Sequence, residues 1–316
     1  MFKFDYVNAT TMADAEAALA KGNAQVIAGN TDLGTYMKGM FSPNPPETLV
    51  NIKNIPGLVY IKEEGSTLKI GALTTLAAIA ASDTVKGKYA VLAQAAKAVG
   101  GPELRNMGTI GGNICQKPRC LYYRNEFNNF SCLRKNPSGL CYALTGINTY
   151  HSIFGAVGGC VACCPSDTAP ALVALGASIV TNKKTWAAAD FFVPLGEQIN
   201  SLAAGEIVTE IQVPTPASGT KSAYHKFAFR KSIDFPLVSA AVVVGGSTAS
   251  IVLGGVHNSP KVATAAQDSI KGKTIDAASA AAAGDAAAQG AVALAKNAYK
   301  IQITRVVVKK ALLAAV

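Results

Sequence analysis

Apolar and polar positions come in short bursts along the chain, and the period of each burst separates strands from helices. Residues 24–28, Ala-Gln-Val-Ile-Ala, read as a short buried strand running into the polar turn Gly29-Asn30-Thr31-Asp32, with a helix beginning near Leu33. Helical composition over 13–21 precedes this strand, and a second strand over 48–52 follows the proline-rich turn at 43–46. These elements make a small α/β unit over residues 1–55. Paired strands at 57–61 and 67–71, around Glu64-Gly65-Ser66, open a larger region over 56–215. In it, 76–81, 90–99 and 168–175 read as helices, and 178–181 and 210–214 return as strands. Residues 216–316 read as a separate α+β unit. It has strands at 224–230, 239–245 and 249–253, an alanine-rich helix at 277–296 interrupted near Gly284 and Gly290, and a final helix at 301–315.

Composition narrows the class. Half of the 316 residues are hydrophobic and 15% are charged, which is the balance of a globular chain with a substantial core and excludes a disordered one. The longest apolar runs, 239–245 and 311–316, are too short to span a membrane. The opening Met1-Phe2-Lys3-Phe4-Asp5 lacks the basic-then-apolar plan of a secretion signal, so the expected location is the cytoplasm, unless a signal-bearing partner subunit exports the complex. The net charge of +10 comes from scattered Lys and Arg with no basic stripe interleaved with aromatics, and nucleic acid is not the expected partner.

Two polar loops suit an anionic ligand. Ala28-Gly29-Asn30-Thr31-Asp32-Leu33-Gly34 follows a strand, and its glycines let backbone N–H groups approach phosphate oxygens; alone it is equally an ordinary turn capped by Asp32. Gly108-Thr109-Ile110-Gly111-Gly112-Asn113 is a second such loop. Two loops from different subdomains imply a long ligand lying in a cleft between them. Ser166 or Asp167, before the helix at 168, is a natural N-cap. On the expected strand at 224–230, Tyr224, Lys226, Ala228 and Arg230 share one face.

Seven cysteines (Cys115, Cys120, Cys132, Cys141, Cys160, Cys163 and Cys164) lie within fifty residues and none occurs elsewhere. Such clustering in an otherwise cysteine-free chain reads as a metal or cluster site rather than a disulfide scaffold. Eleven, eight and eighteen residues separate Cys120, Cys132, Cys141 and Cys160, an irregular loop spacing that suits an iron–sulfur cluster. Zinc also takes four thiolates, and Cys160 and Cys163 form one Cys-x-x-Cys pair. Arg119, Arg124, Arg134 and Lys135 flank the cysteines and would offset a cluster's negative charge. No Ser/His/Asp pattern or other catalytic constellation appears.

The two loops, followed by Pro165-Ser166-Asp167-Thr168-Ala169-Pro170-Ala171-Leu172, resemble the FAD-binding medium subunit of molybdenum hydroxylases, the group of xanthine dehydrogenase, carbon monoxide dehydrogenase and aldehyde oxidoreductase. The resemblance runs over nearly the whole chain. It implies an α+β fold: a two-subdomain FAD-binding domain of the vanillyl-alcohol-oxidase type, then an α+β domain like the carbon monoxide dehydrogenase flavoprotein C-terminal domain. The segment at about 115–164 resembles the cluster-bearing insert of the bacterial aldehyde oxidoreductase and 4-hydroxybenzoyl-CoA reductase flavoproteins. By that match Cys120, Cys132, Cys141 and Cys160 hold a [4Fe–4S] cluster; Cys163 and Cys164, where those relatives have other residues, compete with Cys160 as fourth ligand.

The same match puts Ala28, Gly29, Asn30, Thr31, Asp32 and Leu33 along the FAD pyrophosphate, with Thr109, Gly112 and Asn113 on the opposite wall. Ser166 and Asp167 would contact ribose or nearby groups, and Lys226 would lie near the flavin. Asn30 stands where many relatives carry glycine, and asparagine tolerates the left-handed backbone such a loop needs. The family implies a large partner subunit with the molybdenum cofactor, a small partner with two [2Fe–2S] clusters, and an external carrier left open among ferredoxin, NAD and quinone. Two other readings are a self-sufficient flavin oxidase, active alone, and a non-enzymatic zinc-binding interaction protein, colourless and without flavin.

Overall fold

The computed structural model describes residues 2–194, 196–246 and 248–316. The chain begins with β1 (Asp5–Asn8), α1 (Met12–Ala20), β2 (Ala24–Ile27), α2 (Leu33–Lys38) and β3 (Thr48–Asn51). A capping box starts α1: the Thr11 hydroxyl accepts from the Asp14 N–H at 3.1 Å while the Asp14 carboxylate accepts from the Thr11 N–H at 3.0 Å. The three strands form a parallel sheet in the order β1–β3–β2. Parallel strands place the end of β2 at the sheet's carboxyl edge, where the Gly29 turn leads into α2, the usual position for a ligand in such a sheet.

The next elements are β4 (Ile61–Glu64), β5 (Thr67–Gly71), α3 (Leu76–Ala81), α4 (Asp83–Lys88), α5 (Ala90–Lys97), α6 (Pro102–Met107) and α7 (Ile110–Ile114). After the cysteine segment come α8 (Thr168–Ala174), β6 (Ser178–Thr181), β7 (Thr185–Ala187), α9 (Ala188–Phe191) and β8 (Val208–Pro214). A five-stranded sheet in the order β4–β5–β8–β6–β7 joins strands from both sides of that segment, so residues 115–164 are inserted within one folding unit. Leu68, Ile70, Ile179 and Ile211 from this sheet pack with Ile79, Leu92 and Ile110 in the largest core. The insert itself has little regular structure, a single 3₁₀ turn and isolated bridges such as Cys132 with Leu140.

The last part holds β9 (Lys221–Phe227), β10 (Val238–Gly245), β11 (Thr248–Gly254), β12 (Lys261–Val262), α10 (Thr264–Ile270), α11 (Ala277–Ala287) and α12 (Tyr299–Ala315). Its antiparallel sheet runs β12–β11–β10–β9. Alternation along the two central strands sends Ala240, Val242, Ile251 and Leu253 toward the helices, and Ala241 and Val252 into the core of the preceding region. The sheet is therefore buried on both faces and joins the two regions. Along α12, Thr304, Val307, Val308, Ala311, Leu312 and Ala315 make the helical stripe that meets it. Among the described residues no helix is long and apolar enough to cross a membrane.

Four expectations change. The strand expected at 57–61 lies instead at Ile61–Glu64, where it pairs antiparallel with β5. Gly284 does not interrupt α11: a Cβ there would stand 2.4 Å from the Arg305 carbonyl oxygen, so the glycine lets α11 lie against α12. The alanine-rich helix stops at Ala287 rather than running to 296. The strand expected over 224–230 ends at Phe227, and residues 228–237 leave the sheet as a loop in which Ile233 has φ +70°.

Candidate functional site

A cleft of about 350 Å³ lies between the first sheet, α7 and the loop after β9. Ala28, Gly29, Asn30, Thr31, Asp32 and Leu33 form one wall, and Thr109, Gly112, Asn113 and Asp167 contribute to the rest. The two loops singled out from sequence thus face one space. Asn30 has φ +57°, the left-handed conformation an asparagine accepts at small cost. Gly29 is required by contact: a Cβ would fall 1.9 Å from the Met107 carbonyl oxygen. The second loop is stitched to the β5–α3 connection, with the Ile110 N–H donating to Thr74 O at 3.0 Å and the Gly111 N–H to Ala72 O at 2.9 Å. Thr109 caps α7 by accepting from the Gly112 N–H at 3.1 Å.

Asn113 is oriented by its neighbours. Its Oδ1 accepts from the Ser166 hydroxyl at 2.6 Å and the Thr168 hydroxyl at 2.7 Å, which leaves Nδ2 as the donor on the cleft side. Ser166 is buried and does not line the cleft; besides holding Asn113, its oxygen accepts from the Ala169 N–H at 3.1 Å and so does the capping for α8. Asp167 makes no cap bond. Its carboxylate accepts from the Tyr224 hydroxyl at 2.6 Å and from Lys226 Nζ at 2.9 Å. Burial pushes Asp167 above the usual carboxylate range, against the pull of Lys226 and Tyr224. Lys226 also donates to Ala98 O at 2.9 Å and stands behind Asp167, not on the cleft surface.

Asp32 occupies the N-cap position of α2 but makes no side-chain cap bond. It turns to the insert: Arg119 and Arg124 pair with its Oδ1 at 2.8 and 2.6 Å, and the Lys117 N–H donates to Oδ2 at 2.8 Å. Burial pushes its carboxyl up, but the two guanidinium groups outweigh that and hold it below the ordinary range. Arg119 and Arg124 are thus engaged with the ligand loop and do not surround the cysteines. Lys135 donates to Phe41 O and Asn128 Oδ1, and its charge still acts on Cys132. A second tie sits nearby at Glu197, which accepts from Tyr36 on α2, from Tyr123 at 2.7 Å and from Ser42 at 3.1 Å, and pairs with Lys117 at 3.3 Å.

Cys120, Cys132, Cys141 and Cys160 all line one small cavity, walled by Tyr122, Tyr123, Tyr142 and His151. All seven cysteines are free thiols. Among the described residues no three His, Cys, Asp or Glu side chains close on a single point as one metal ion requires. Four sulfurs around a shared apolar space fit a polynuclear cluster's donor set, and seating its core would spread Cys141 and Cys160 apart. Those two thiols contact each other: donation from Cys141, and then the Arg134 charge, draws Cys160 down against its burial, while Cys141 rises. Arg134 Nε donates to Cys160 Sγ at 3.1 Å and its Nη1 to the Gly196 and Gln198 carbonyls, both at 2.9 Å. Cys163 and Cys164 do not line this cavity. Cys164 is packed in the main core, and Cys163 lies 3.9 Å from Lys300 Nζ. Cys115 lines the cleft with its thiol pushed up to about 12 by burial.

Sequence reasoning missed several cleft residues: Gln116, Lys117 and Arg119 from the insert, and Ile233, Asp234 and Phe235 from the loop after β9. The Arg119 guanidinium lies 4.3 Å from the Phe235 ring centre, joining the two segments. A basic residue near an anion loop is a signal in principle for Lys117 and Arg119; nothing in the sequence marks residues 233–235. A second, mostly apolar cavity of about 440 Å³ adjoins both sites. It shares Arg119, Pro165, Asp234 and Phe235 with the cleft, and Cys120, His151 and Ala162 with the cysteine cavity.

The chain matches two family models, the FAD binding domain in molybdopterin dehydrogenase over residues 2–216 and the CO dehydrogenase flavoprotein C-terminal domain over residues 222–315. It is 33% identical to the aldehyde oxidoreductase FAD-binding subunit PaoB of Escherichia coli K12, over 82% of each chain. It is 32% identical to the carbon monoxide dehydrogenase medium chain of Afipia carboxidovorans, over 86% of this chain and 81% of that one. Among solved structures it resembles the carbon monoxide dehydrogenase of Hydrogenophaga pseudoflava that lacks the Mo-pyranopterin moiety, with a TM-score of 0.76 at 28% identity over 99% of this chain and 97% of the other. Two loops facing one cleft, the α+β domain behind them and these likenesses agree: the chain belongs to the family of FAD-binding medium subunits of molybdenum hydroxylases.

Proposed function

We propose that this chain is the flavin-carrying electron relay of a multi-subunit molybdenum hydroxylase and that its insert holds a [4Fe–4S] cluster on Cys120, Cys132, Cys141 and Cys160. The observation that carries the cluster is the convergence of these four thiols, and not Cys163 or Cys164, on one cavity. FAD supplies the relay's chemistry when bound, since it takes up two electrons together and releases them singly or in pairs. The chain's own residues bind and orient it. Asn113 Nδ2 donates into the cleft, and Arg119 and Arg124 together outweigh the single charge of Asp32, so the loop does not repel a diphosphate and the wall is left with net positive charge. Substrate oxidation belongs to a large subunit with the molybdenum cofactor, and a small subunit with two [2Fe–2S] clusters delivers the electrons. Support for these partners comes from the likeness to carbon monoxide dehydrogenase and aldehyde oxidoreductase subunits. The insert's ties to α2 through Asp32 and Glu197 hold the cluster beside the flavin loop, as an exit to an external carrier of the ferredoxin, NAD or quinone type requires.

The test is the visible spectrum of the anaerobically purified chain with flavin, iron and sulfide analysis. The expected result is flavin bands, a broad shoulder, and about four irons and four sulfides per chain. Flavin without iron removes the cluster and leaves the relay. A colourless chain overturns both. Cys160→Ser is expected to lose most of the iron and keep the flavin, whereas Cys164→Ser keeps both.

A further inference from the structure

Three residues separate the cysteine cavity from the second cavity: Cys120, Ala162 and His151. His151 is 2% exposed, and its Nε2 lies 3.1 Å from Cys120 Sγ. Its position is fixed from both sides. Its backbone N–H donates to Asn148 O at 3.1 Å, and its carbonyl accepts from Lys300 Nζ at 2.9 Å and from Asn297 Nδ2 at 3.1 Å, two side chains from the distant C-terminal segment. Nδ1 is buried without a hydrogen-bond partner among the described residues. A thiolate at Cys120 accepts and cannot donate, so the proton between the two atoms, 3.1 Å apart, belongs on Nε2.

We propose that His151 is a positioning residue that donates its Nε2–H to the Cys120 sulfur, fixing that ligand and raising the reduction potential of the cluster. The inference rests on the cluster reading above. A hydrogen bond to a ligating sulfur withdraws charge from the iron–sulfur core and favours its reduced form. Cys160 receives such a bond from Arg134. For Cys120, His151 is the side-chain donor within hydrogen-bond distance. His151 thereby sets the potential on the side of the cluster that faces the second cavity and, through it, the flavin cleft.

The experiment uses the full chain, purified anaerobically as wild type, His151→Leu and His151→Gln. Flavin, iron and sulfide are counted first, then the cluster potential is measured by an EPR-monitored titration. His151→Leu is expected to keep flavin and iron and to shift the potential downward; His151→Gln, which retains an N–H donor, recovers part of the shift. In wild-type chain labelled with nitrogen-15 histidine, electron–nuclear double resonance should show one histidine nitrogen coupled to the reduced cluster. A full cluster with unchanged potential in His151→Leu overturns the role of His151 and leaves the cluster reading intact. Absence of the nitrogen coupling overturns it equally, even where the leucine variant fails to fold. A wild-type chain with flavin and no iron overturns the cluster reading, and this inference with it.

Discussion

Asp32 shows how one carboxylate changes function between sequence and structure. Its place before α2 invites capping, yet two guanidinium groups and a backbone N–H from the insert claim both oxygens. Asp32→Asn would leave the partly buried Arg119 and Arg124 without their counter-charge. We expect a loss of about 3 kcal/mol in denaturant unfolding, together with weaker flavin retention; an unchanged midpoint would show that the arginines find other partners. Position 29 is limited by space. Gly29→Ala drives a methyl against the Met107 carbonyl and should release flavin on gel filtration, whereas Asn30→Gly, which suits the same left-handed backbone, should retain it.

Among the elements, α11 and α12 carry the clearest test of packing against propensity. Alanine is intrinsically better than glycine inside a helix by about 1 kcal/mol. At position 284 the added methyl meets backbone atoms of Arg305, which cannot rotate away, so the helices must separate. Overpacking of this kind costs about 1–3 kcal/mol, and Gly284→Ala is expected to lower the thermal midpoint; a raised midpoint would mean that the helices slide apart freely. This position also shows where pattern reading fails. Glycine inside an alanine run signals a break when only the local chain is considered, and the contact that justifies it comes from a residue 21 positions away.

At the scale of the whole molecule, the insert is bound to the flavin-loop side by two partly buried carboxylates. Glu197, like Asp32, is held below its ordinary range: burial raises it, and Lys117 followed by Tyr36 and Tyr123 outweigh that. A carboxyl lowered in the folded state stabilises fully above the unfolded value near 4 and loses that contribution as the pH falls through its folded value. Asp167, raised by burial, acts in the opposite sense and costs stability as the pH rises past its unfolded value. Glu206 and the more exposed Asp14, Glu64, Asp234 and Asp276 are lowered too, so lowered carboxylates outweigh the one raised and stability is expected to fall below about pH 4. Glu197→Gln should flatten that acid-side dependence in a pH series of thermal melts, and an unaltered profile would place the acid sensitivity elsewhere. The same substitution is expected to loosen the insert first, seen as faster amide exchange around Tyr123 than in the main core.

Local pattern was enough for much of this protein. The strand at the edge of the Gly29 turn, the helix at 76–81, the strands at 67–71 and 210–214, and the sheet of the last region were legible because period and turn residues are properties of neighbouring positions, whereas the pairing of those two strands was not. Clustering alone marked the cysteine segment, and the left-handed Asn30 followed from its side chain. Other features depended on residues far apart in the chain. Tertiary structure decided that Cys160 and not Cys163 or Cys164 joins the other three thiols, because irregular loops have no period to read. It sent Arg119 and Arg124 to Asp32, placed Lys226 behind Asp167, and brought Ile233 and Phe235 to the cleft by ending β9 early. It also set His151 against Cys120 by fastening the insert to the C-terminal segment, a contact between chain segments about 150 residues apart whose partners, Asn297 and Lys300, carry no local mark of that purpose.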